Sequence, residues 1–225
     1  MKKIPLLLLI LVALTSCEFN FKVNTPVKET AELEPFPSVE RSTFENIFIV
    51  DENKCKKWNL PITRFKIEYP NNVKIDSAKI GIENYDYVSF QVIENGIVIE
   101  EISIGYSDAQ KMFEKEVGEK SAEKLIGNLK KRLPNLEVIQ NGMAEFAGQE
   151  NYVTNLKVEI EEKTPQNFLG TYQMFKTHYY PKSKNLNPIN IGWTANESSE
   201  IKNSNDFGEK GITSEIWKTF KFAEK

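Results

Sequence analysis

Histidine and cysteine are both scarce in this sequence, and their scarcity excludes several kinds of active site. The 225 residues include one histidine, His178, and two cysteines, Cys17 and Cys55. Zinc sites are commonly built from several such side chains. The chain also lacks a Cys-x-x-Cys pair, a His-Glu-x-x-His or Gly-x-Ser-x-Gly motif, and a glycine-rich phosphate-binding loop. We therefore predict a protein that is not an enzyme and that has no cofactor and no metal.

A hydrophobic run long enough to cross a membrane is missing near the N-terminus. The apolar stretch 4–13 has ten residues, whereas a membrane-spanning helix needs about 20. It follows Lys2 and Lys3, and this order is typical of a secretory signal peptide. The stretch leads into Leu14-Thr15-Ser16-Cys17, which resembles the lipobox of bacterial lipoproteins.

This resemblance implies that residues 1–16 are a signal peptide and that Cys17 carries lipid. Two or three acyl chains hold a protein stably on a membrane. We therefore expect a location in the bacterial cell envelope, on the inner or outer membrane, with the folded part outside the cytoplasm. Cys55 would then have no cysteine left for a disulfide. The alternative is an ordinary secretory signal that is cut elsewhere, with Cys17 incidental.

An excess of positive charge is missing as well. Lysine and arginine number 29 against 32 acidic residues, and loss of Lys2 and Lys3 with the signal peptide makes the balance more negative. Such a chain does not favour nucleic acid or an anionic lipid surface. We therefore predict no nucleic-acid partner and a membrane contact through the lipid on Cys17.

Two regions follow the anchor. Residues 18–43 contain three prolines and many charges, a composition that buries too little apolar surface to fold. We interpret residues 17–43 as the lipidated cysteine and a mostly disordered tether. Residues 44–225 have the length of a single domain.

The strand patterns of this domain are clear. The segments 65–69 and 87–94 alternate between apolar and polar residues, and Asn95-Gly96 before 97–106 is a strong hairpin signal. Further strands are predicted in 152–161, 172–180 and 189–195.

Helical patterns are fewer. Residues 121–133 repeat leucine and isoleucine at helical spacing and end at Pro134. Ser107 and Gln110 form a capping-box pattern for a shorter helix that Gly118 interrupts. A short helix is predicted around Ile212, Ile216 and Phe220. These elements indicate an α+β fold in which helices pack on a largely antiparallel sheet.

Nine positions punctuate these elements in order: Phe65, Tyr69, Pro70, Gly148, Glu150, Tyr152, Ile216, Phe220 and Phe222. In these positions and in the order of its elements the chain resembles the PsbP-like superfamily, which includes the photosystem subunit PsbP, a Ran-binding nuclear-import factor and many bacterial lipoproteins. The resemblance implies an α/β/α sandwich around a largely antiparallel sheet. It also implies a protein that acts by binding other proteins.

Tyrosine and tryptophan are enriched at binding hot spots. One interpretation of four aromatic residues late in the chain is therefore a binding surface made of Tyr179, Tyr180, Trp193 and Trp217. The alternative is that they belong to the core. The stretch 196–206 is predicted to be an exposed loop that could carry recognition.

Other polar residues are less specific. His178 could pair with Cys55 as base and nucleophile, but a packed or surface histidine is the simpler interpretation. Glu100 and Glu101 are adjacent in a strand and must point to opposite faces. The many carboxylates, including Glu159 and Glu161, are expected on a charged outer face.

Three functions remain. The first is a non-catalytic, lipid-anchored binding or assembly module that contacts an envelope protein. The second is a carrier of a small apolar or lipid ligand, in a pocket between sheet and helix lined by Leu125, Phe175 and Trp193. The third is an enzyme of unrecognised type.

Overall fold

A computed structural model describes residues 44–83, 85–107 and 115–223. The predicted signal peptide 1–16, the lipidation site Cys17, the tether 18–43 and the capping residue Gln110 lie outside these ranges, so their assignments stay predictions.

The described residues form ten strands and three α-helices. The strands are β1 (Asn46–Val50), β2 (Phe65–Tyr69), β3 (Lys74–Ser77), β4 (Asp86–Glu94), β5 (Ile97–Tyr106), β6 (Glu137–Phe146), β7 (Gln149–Ile160), β8 (Gly170–Tyr179), β9 (Ile189–Asn196) and β10 (Lys221–Phe222). The helices are α1 (Glu52–Trp58), α2 (Lys115–Lys130) and α3 (Ile212–Lys218), and a 3₁₀ turn spans Ser204–Asp206.

Seven strands form one antiparallel sheet in the order β3-β4-β5-β9-β8-β7-β6, and three form a small antiparallel sheet in the order β1-β2-β10. One face of the large sheet, here called face A, packs against the small sheet, α1 and α3. The opposite face, face B, packs against α2. The predicted α+β class with a largely antiparallel sheet is confirmed, and the layer on face A contains a second sheet beside its two short helices.

Two tight turns hold the long hairpins. Asn95 and Gly96 both have positive φ, 50° and 71°, which is the conformation that joins antiparallel strands with two residues. Ala147 and Gly148 repeat it at 51° and 74° between β6 and β7. The first hairpin was predicted from its Asn-Gly pair. The second was not, because Ala-Gly is a weaker turn signal.

Helix α2 begins earlier than its leucine pattern indicates. Gly118 was predicted to interrupt the helix, but it lies inside α2 and is buried. A Cβ atom at this position would overlap the Tyr152 side chain on β7. The glycine therefore lets the helix approach face B closely, and Leu129 and Leu133 then pack with Leu156.

The larger core lies between face A and the layer above it, and it contains most of the aromatic side chains. Its largest fully buried members include Trp193, Tyr87, Phe65 and Phe90.

Candidate functional site

A cleft of about 530 Å³ opens on face A, near the end of the sheet formed by β6, β7 and β8. Its aromatic lining residues are Phe146, Phe175, Tyr179, Phe207, Trp217 and Phe220. Its remaining lining includes Gln140, Glu145, Asn205, Glu209 and Lys218, all of them exposed. The cleft therefore has an aromatic interior and a polar, partly charged rim.

Trp217 is the centre of the aromatic interior. Its ring lies 4.9 Å from Phe220, 5.2 Å from Tyr179 and 5.6 Å from Phe146, measured between ring centroids. Edge-to-face and offset arrangements at such distances are favourable beyond the burial of their area. The interior is therefore a packed set of rings whose positions depend on one another.

Helix α3 positions Trp217, and a buried carboxylate anchors the start of that helix. Glu100 is 3% exposed, and it accepts hydrogen bonds from the Thr213 N–H at 2.9 Å and the Thr213 hydroxyl at 2.8 Å. The Ser199 hydroxyl donates a third at 2.8 Å. Gly211 has a φ of 81°, and a Cβ atom there would overlap this carboxylate, so both the backbone and the space favour glycine. Burial raises the pKa of Glu100, while these hydrogen bonds act in the opposite direction.

The segment that forms the far wall of the cleft is equally constrained. Asp206 accepts from the backbone N–H groups of Lys202 and Asn203 at 2.9 and 3.2 Å, and it forms an ion pair with Lys210 at 2.8 Å. Asn196, Ser199, Ile201 and Asp206 are buried. The prediction of an exposed loop over 196–206 was therefore wrong at these four positions. The side chain of Asn196 donates to the Leu169 carbonyl, and that of Ser199 donates to Glu100.

A polar side chain lies beside the aromatic interior. Asn155 stands on face A between Gln140 and Phe175, its register partners on β6 and β8. It is fully buried, and neither its Oδ1 nor its Nδ2 atom has a hydrogen-bond partner among the described residues. Alternation along β7 predicts this side chain on the solvent side. It is buried instead.

The four aromatic residues singled out from the sequence occupy different places. Tyr179 and Trp217 line the cleft. Trp193 is 1% exposed and lies beneath it, 6.0 Å from Trp217 and 5.8 Å from Phe207. Tyr180 follows β8, where its backbone N–H and C=O are bound by the Gln149 side chain. The cleft thus brings together two of the four, with Trp193 as support.

Sequence reasoning missed most of the cleft. Phe146, Phe175 and Phe207 come from three separate segments, and each was an ordinary apolar residue in its own pattern. The pocket predicted between sheet and helix does not form as expected: Leu125 packs with the core on face B, whereas Phe175 and Trp193 belong to the core on face A.

Face B carries a second polar region. Asp86 on β4, Glu101 on β5, and Lys176 and His178 on β8 lie on this face. Burial raises the pKa of Asp86 and of Glu101 to about 7. Burial also lowers the pKa of Lys176, and it lowers that of His178 to about 4. The Glu101 Oε1 and His178 Nδ1 atoms have no hydrogen-bond partner within the described ranges.

A small gap lies between α2 and face B. It is bounded by Lys176, His178, Tyr152 and Gly118 and measures about 30 Å³, room for about one water molecule. Asp86 lies against Gly105, where a Cβ atom would come within 2.5 Å of its carboxylate. Acidic residues in "IVIEEI" had been expected on an outer face, and Glu101 was therefore misplaced by sequence reasoning. Glu159 and Glu161 are exposed, as expected.

Cys55 and His178 do not come together. Cys55 is fully buried in the core on face A, where its thiol contacts the Thr63 carbonyl at 3.5 Å. His178 lies on face B, across the sheet. Burial raises the pKa of the Cys55 thiol, which favours its unreactive form. The nucleophile–base pair considered from the sequence is therefore not assembled.

Within residues 44–83, 85–107 and 115–223, no three histidine, cysteine or acidic side chains are grouped so that they could hold a metal ion. No helix in these ranges combines the length and the apolar character needed to span a bilayer.

Comparison with known proteins yields similarities of structure only. No protein-family model and no curated protein matches the chain. The solved structures that match include the cyanobacterial PsbP of Synechocystis sp. PCC 6803, at 12% identity and a TM-score of 0.43, covering 84% of this chain and 99% of that one. The Ran-binding protein Mog1p of Saccharomyces cerevisiae matches at 10% identity and a TM-score of 0.39, covering 78% and 95%.

A protein of unknown function from Pseudomonas aeruginosa also matches, at 10% identity and a TM-score of 0.30, covering 68% of this chain and 84% of that one. The first two are of the kinds named in the sequence resemblance. The likeness concerns the fold, and it assigns neither a family nor a function.

Proposed function

We propose that this chain is a lipid-anchored, non-catalytic binding module of the bacterial cell envelope, and that its aromatic cleft receives an apolar side chain of a protein partner. The observation that carries the proposal is the cleft itself, with buried rings inside and exposed polar residues around them. Protein-binding hot spots have this arrangement, in which aromatic anchors lie at the centre and a polar rim surrounds them.

The support beneath the cleft favours binding over chemistry. Glu100 holds α3, and the Asp206 turn holds the opposite wall, so the rings are in place before a partner arrives. Preorganisation of this kind lowers the entropy cost of association. The titratable groups of face B are separated from the cleft by the sheet. Among the described residues, the charged members of the rim are Glu145, Glu209 and Lys218.

Site-specific photo-crosslinking in the native envelope tests the partner. A photoreactive amino acid replaces Gln140 on the rim in the full-length chain, and Lys124 on the exposed side of α2 is the matched control position. We expect a defined crosslinked protein from position 140 that is absent from position 124. It should be lost in Gly142→Arg, which places a long charged side chain beside the cleft. The same products from both positions would contradict the proposal.

The lipid anchor has its own test. The mature protein should begin at Cys17 and carry the mass of diacylglycerol on its first residue, and Cys17→Ser should release it from the membrane fraction. Mass spectrometry of the N-terminal peptide measures the first residue and its lipid. Immunoblotting of the membrane and soluble fractions measures the release of Cys17→Ser. An unmodified first peptide would remove the anchor and leave the cleft unaffected.

A second candidate is the transport of a small apolar molecule, which the volume of the cleft favours. About 530 Å³ lies within the usual range of small-molecule pockets. Native mass spectrometry of protein purified from its own envelope should then show a bound compound, and Gly142→Arg should lack it. Protein without added mass in both samples would dismiss this candidate.

A further inference from the structure

Strand β6 lies at the end of the seven-stranded sheet, and its outer edge is open as far as the described residues extend. Its inner edge pairs with β7 over its length, and none of the described strands pairs with its outer edge. Such an edge presents unpaired N–H and C=O groups, which an added extended segment can bind. Exposed Val138 and Ile139 near its start, 37% and 46% accessible, add apolar surface.

The open edge borders the aromatic cleft. Gln140, Ala144 and Phe146 of β6 line the cleft, and Gly142 lies between them on the same side of the strand. A Cβ atom at Gly142 would meet nothing within 4 Å. A segment added beside β6 would therefore have room for large side chains on the cleft side.

The N-terminal region contains one segment with a fitting pattern. In Phe19-Asn20-Phe21-Lys22-Val23 the apolar residues alternate with polar ones, so a strand formed there would have one apolar and one polar face. We infer that residues 19–23 of this chain pair with the outer edge of β6 and place a phenylalanine ring in the aromatic cleft.

Charge favours the same occupant. Glu145 and Glu150 are register partners at the end of the β6–β7 hairpin, and like charges directly opposite each other are unfavourable. A segment that pairs with β6 up to the hairpin would pass close to these two carboxylates. Lys22, on the polar face of that segment, would bring a compensating positive charge.

The length of the connecting chain also fits. The linker must reach from the start of β1 to the edge of β6. Asn46, the first residue of β1, pairs with Tyr69, and the Tyr69 ring lies 5.3 Å from that of Phe90 on β4. The start of β1 therefore lies above β4, which is five strand spacings from β6. A segment added to the outer edge lies one spacing beyond β6, and six spacings amount to about 29 Å. The 20 residues 24–43, taken as a flexible coil, have a root-mean-square length of about 25 Å. A linker whose average length is close to its span gives an effective concentration near the millimolar range.

This docking does not rest on the proposed function, although both concern the same cleft. A segment held in the cleft by its own chain would compete with any partner. The partner must then bind more tightly than the tethered segment does.

Crosslinking within the full-length chain tests the inference. A photoreactive amino acid replaces Phe19, and Phe36, which lies in the same tether without an alternating pattern, is the control position. We expect a crosslink from position 19 to β6, within one chain and independent of protein concentration, and none to β6 from position 36. Peptide mass mapping identifies the site.

Two matched glycine variants sharpen the test. Gly142→Arg should abolish the crosslink by filling the space beside β6. Gly127→Arg on α2, where a Cβ atom also meets nothing within 4 Å, should retain it. Thermal unfolding verifies that both variants are folded. A crosslink that survives Gly142→Arg, or that forms only elsewhere in the chain or only to another protein, would overturn the inference. The last outcome would leave the proposed function intact.

Discussion

The two faces of the large sheet differ in how fully their buried carboxylates are hydrogen-bonded. On face A, the carboxylate of Glu100 receives three hydrogen bonds and fixes α3, and the remaining volume is aromatic with an open cleft. On face B, Glu101 and His178 are buried and Asp86 and Lys176 are half-buried, the gap beside Lys176 and His178 is small, and one Glu101 oxygen has no described partner. A buried charge stabilises a fold only when its hydrogen bonds are complete. We therefore expect face A to be the preorganised face, and face B the one whose stability depends on pH.

The largest effect is expected from the aromatic interior of face A. Trp217→Ala removes a ring that contacts Tyr179, Phe146 and Phe220, and truncating a buried aromatic residue costs about 3–5 kcal/mol of unfolding free energy. Urea denaturation measures it. Ile47→Ala, at a side chain that is 55% exposed, should stay within about 0.5 kcal/mol. Equal losses in both variants would contradict the central role of Trp217.

The adjacent glutamates compare the two faces directly. Glu100→Leu leaves the Thr213 N–H and two hydroxyl groups without their acceptor and should cost about 3 kcal/mol. Glu101→Leu removes a buried, incompletely bonded carboxylate, and above pH 7 it should be neutral or stabilising by about 1 kcal/mol. Both are read from the same urea titration. Similar losses of unfolding free energy in Glu100→Leu and Glu101→Leu would contradict this difference between the two faces.

Close approach of α2 to face B gives a smaller effect. Gly118→Ala forces a methyl group into the Tyr152 ring and should destabilise by about 1–3 kcal/mol through overpacking. Gly127→Ala on the same helix meets nothing within 4 Å and should stabilise by about 1 kcal/mol through helix propensity. A stabilising Gly118→Ala would show that α2 lies farther from the sheet.

The pH dependence of the unfolding free energy should reflect the titratable groups of face B. Burial raises the pKa of Asp86 and Glu101 to about 7, so between pH 4 and 7 the native state binds protons that the unfolded chain has released. His178 has the opposite effect, because its native pKa is lowered to about 4. Between pH 4 and 6.5 the unfolded chain therefore binds one proton at this histidine that the native state does not. The unfolding free energy should therefore fall as pH rises, by about 1.4 kcal/mol per pH unit.

Asp86→Asn should flatten this slope, and Glu159→Gln at an exposed position should leave it unchanged. Urea denaturation at several pH values between 4.5 and 7 measures both. A slope that is identical in the wild type and in Asp86→Asn would show that Asp86 is not the group that titrates.

Local pattern and chain chemistry were sufficient for part of this architecture. The hairpin at Asn95-Gly96, the core side of β4 at Val88 and Phe90, and the leucine stripe of α2 follow from short-range periodicity and turn conformation. Strands β1, β3, β6 and β10 were not anticipated. β3 and β10 are four and two residues long, and β6 is mostly exposed, so these three lack the alternation that a half-buried strand shows. The sequence of β1 is apolar at four consecutive positions, 47–50, so it does not alternate either, although its burial does.

The cleft could be anticipated only in outline. Tyr179 and Trp217 drew attention as aromatic residues late in the chain, yet nothing in their own segments pairs them with Phe146 or Phe207. Burial of Glu100, Glu101 and Asn155 was likewise hidden, because a polar residue in an alternating strand is normally on the solvent side.

The sequence by itself determined the α+β class, the long hairpins, the amphipathic helix and the lipobox-like N-terminus, since each depends on neighbouring residues. Only the tertiary structure decided which residues meet. Packing of α3 and the Ser204–Asp206 turn over β6, β7 and β8 joins rings that are distant in the chain, and the second layer on each face turns apparent surface into interior. Whether a strand residue is buried depends on the elements that pack over it. These elements are distant in the sequence, so the pattern of the strand does not reveal them.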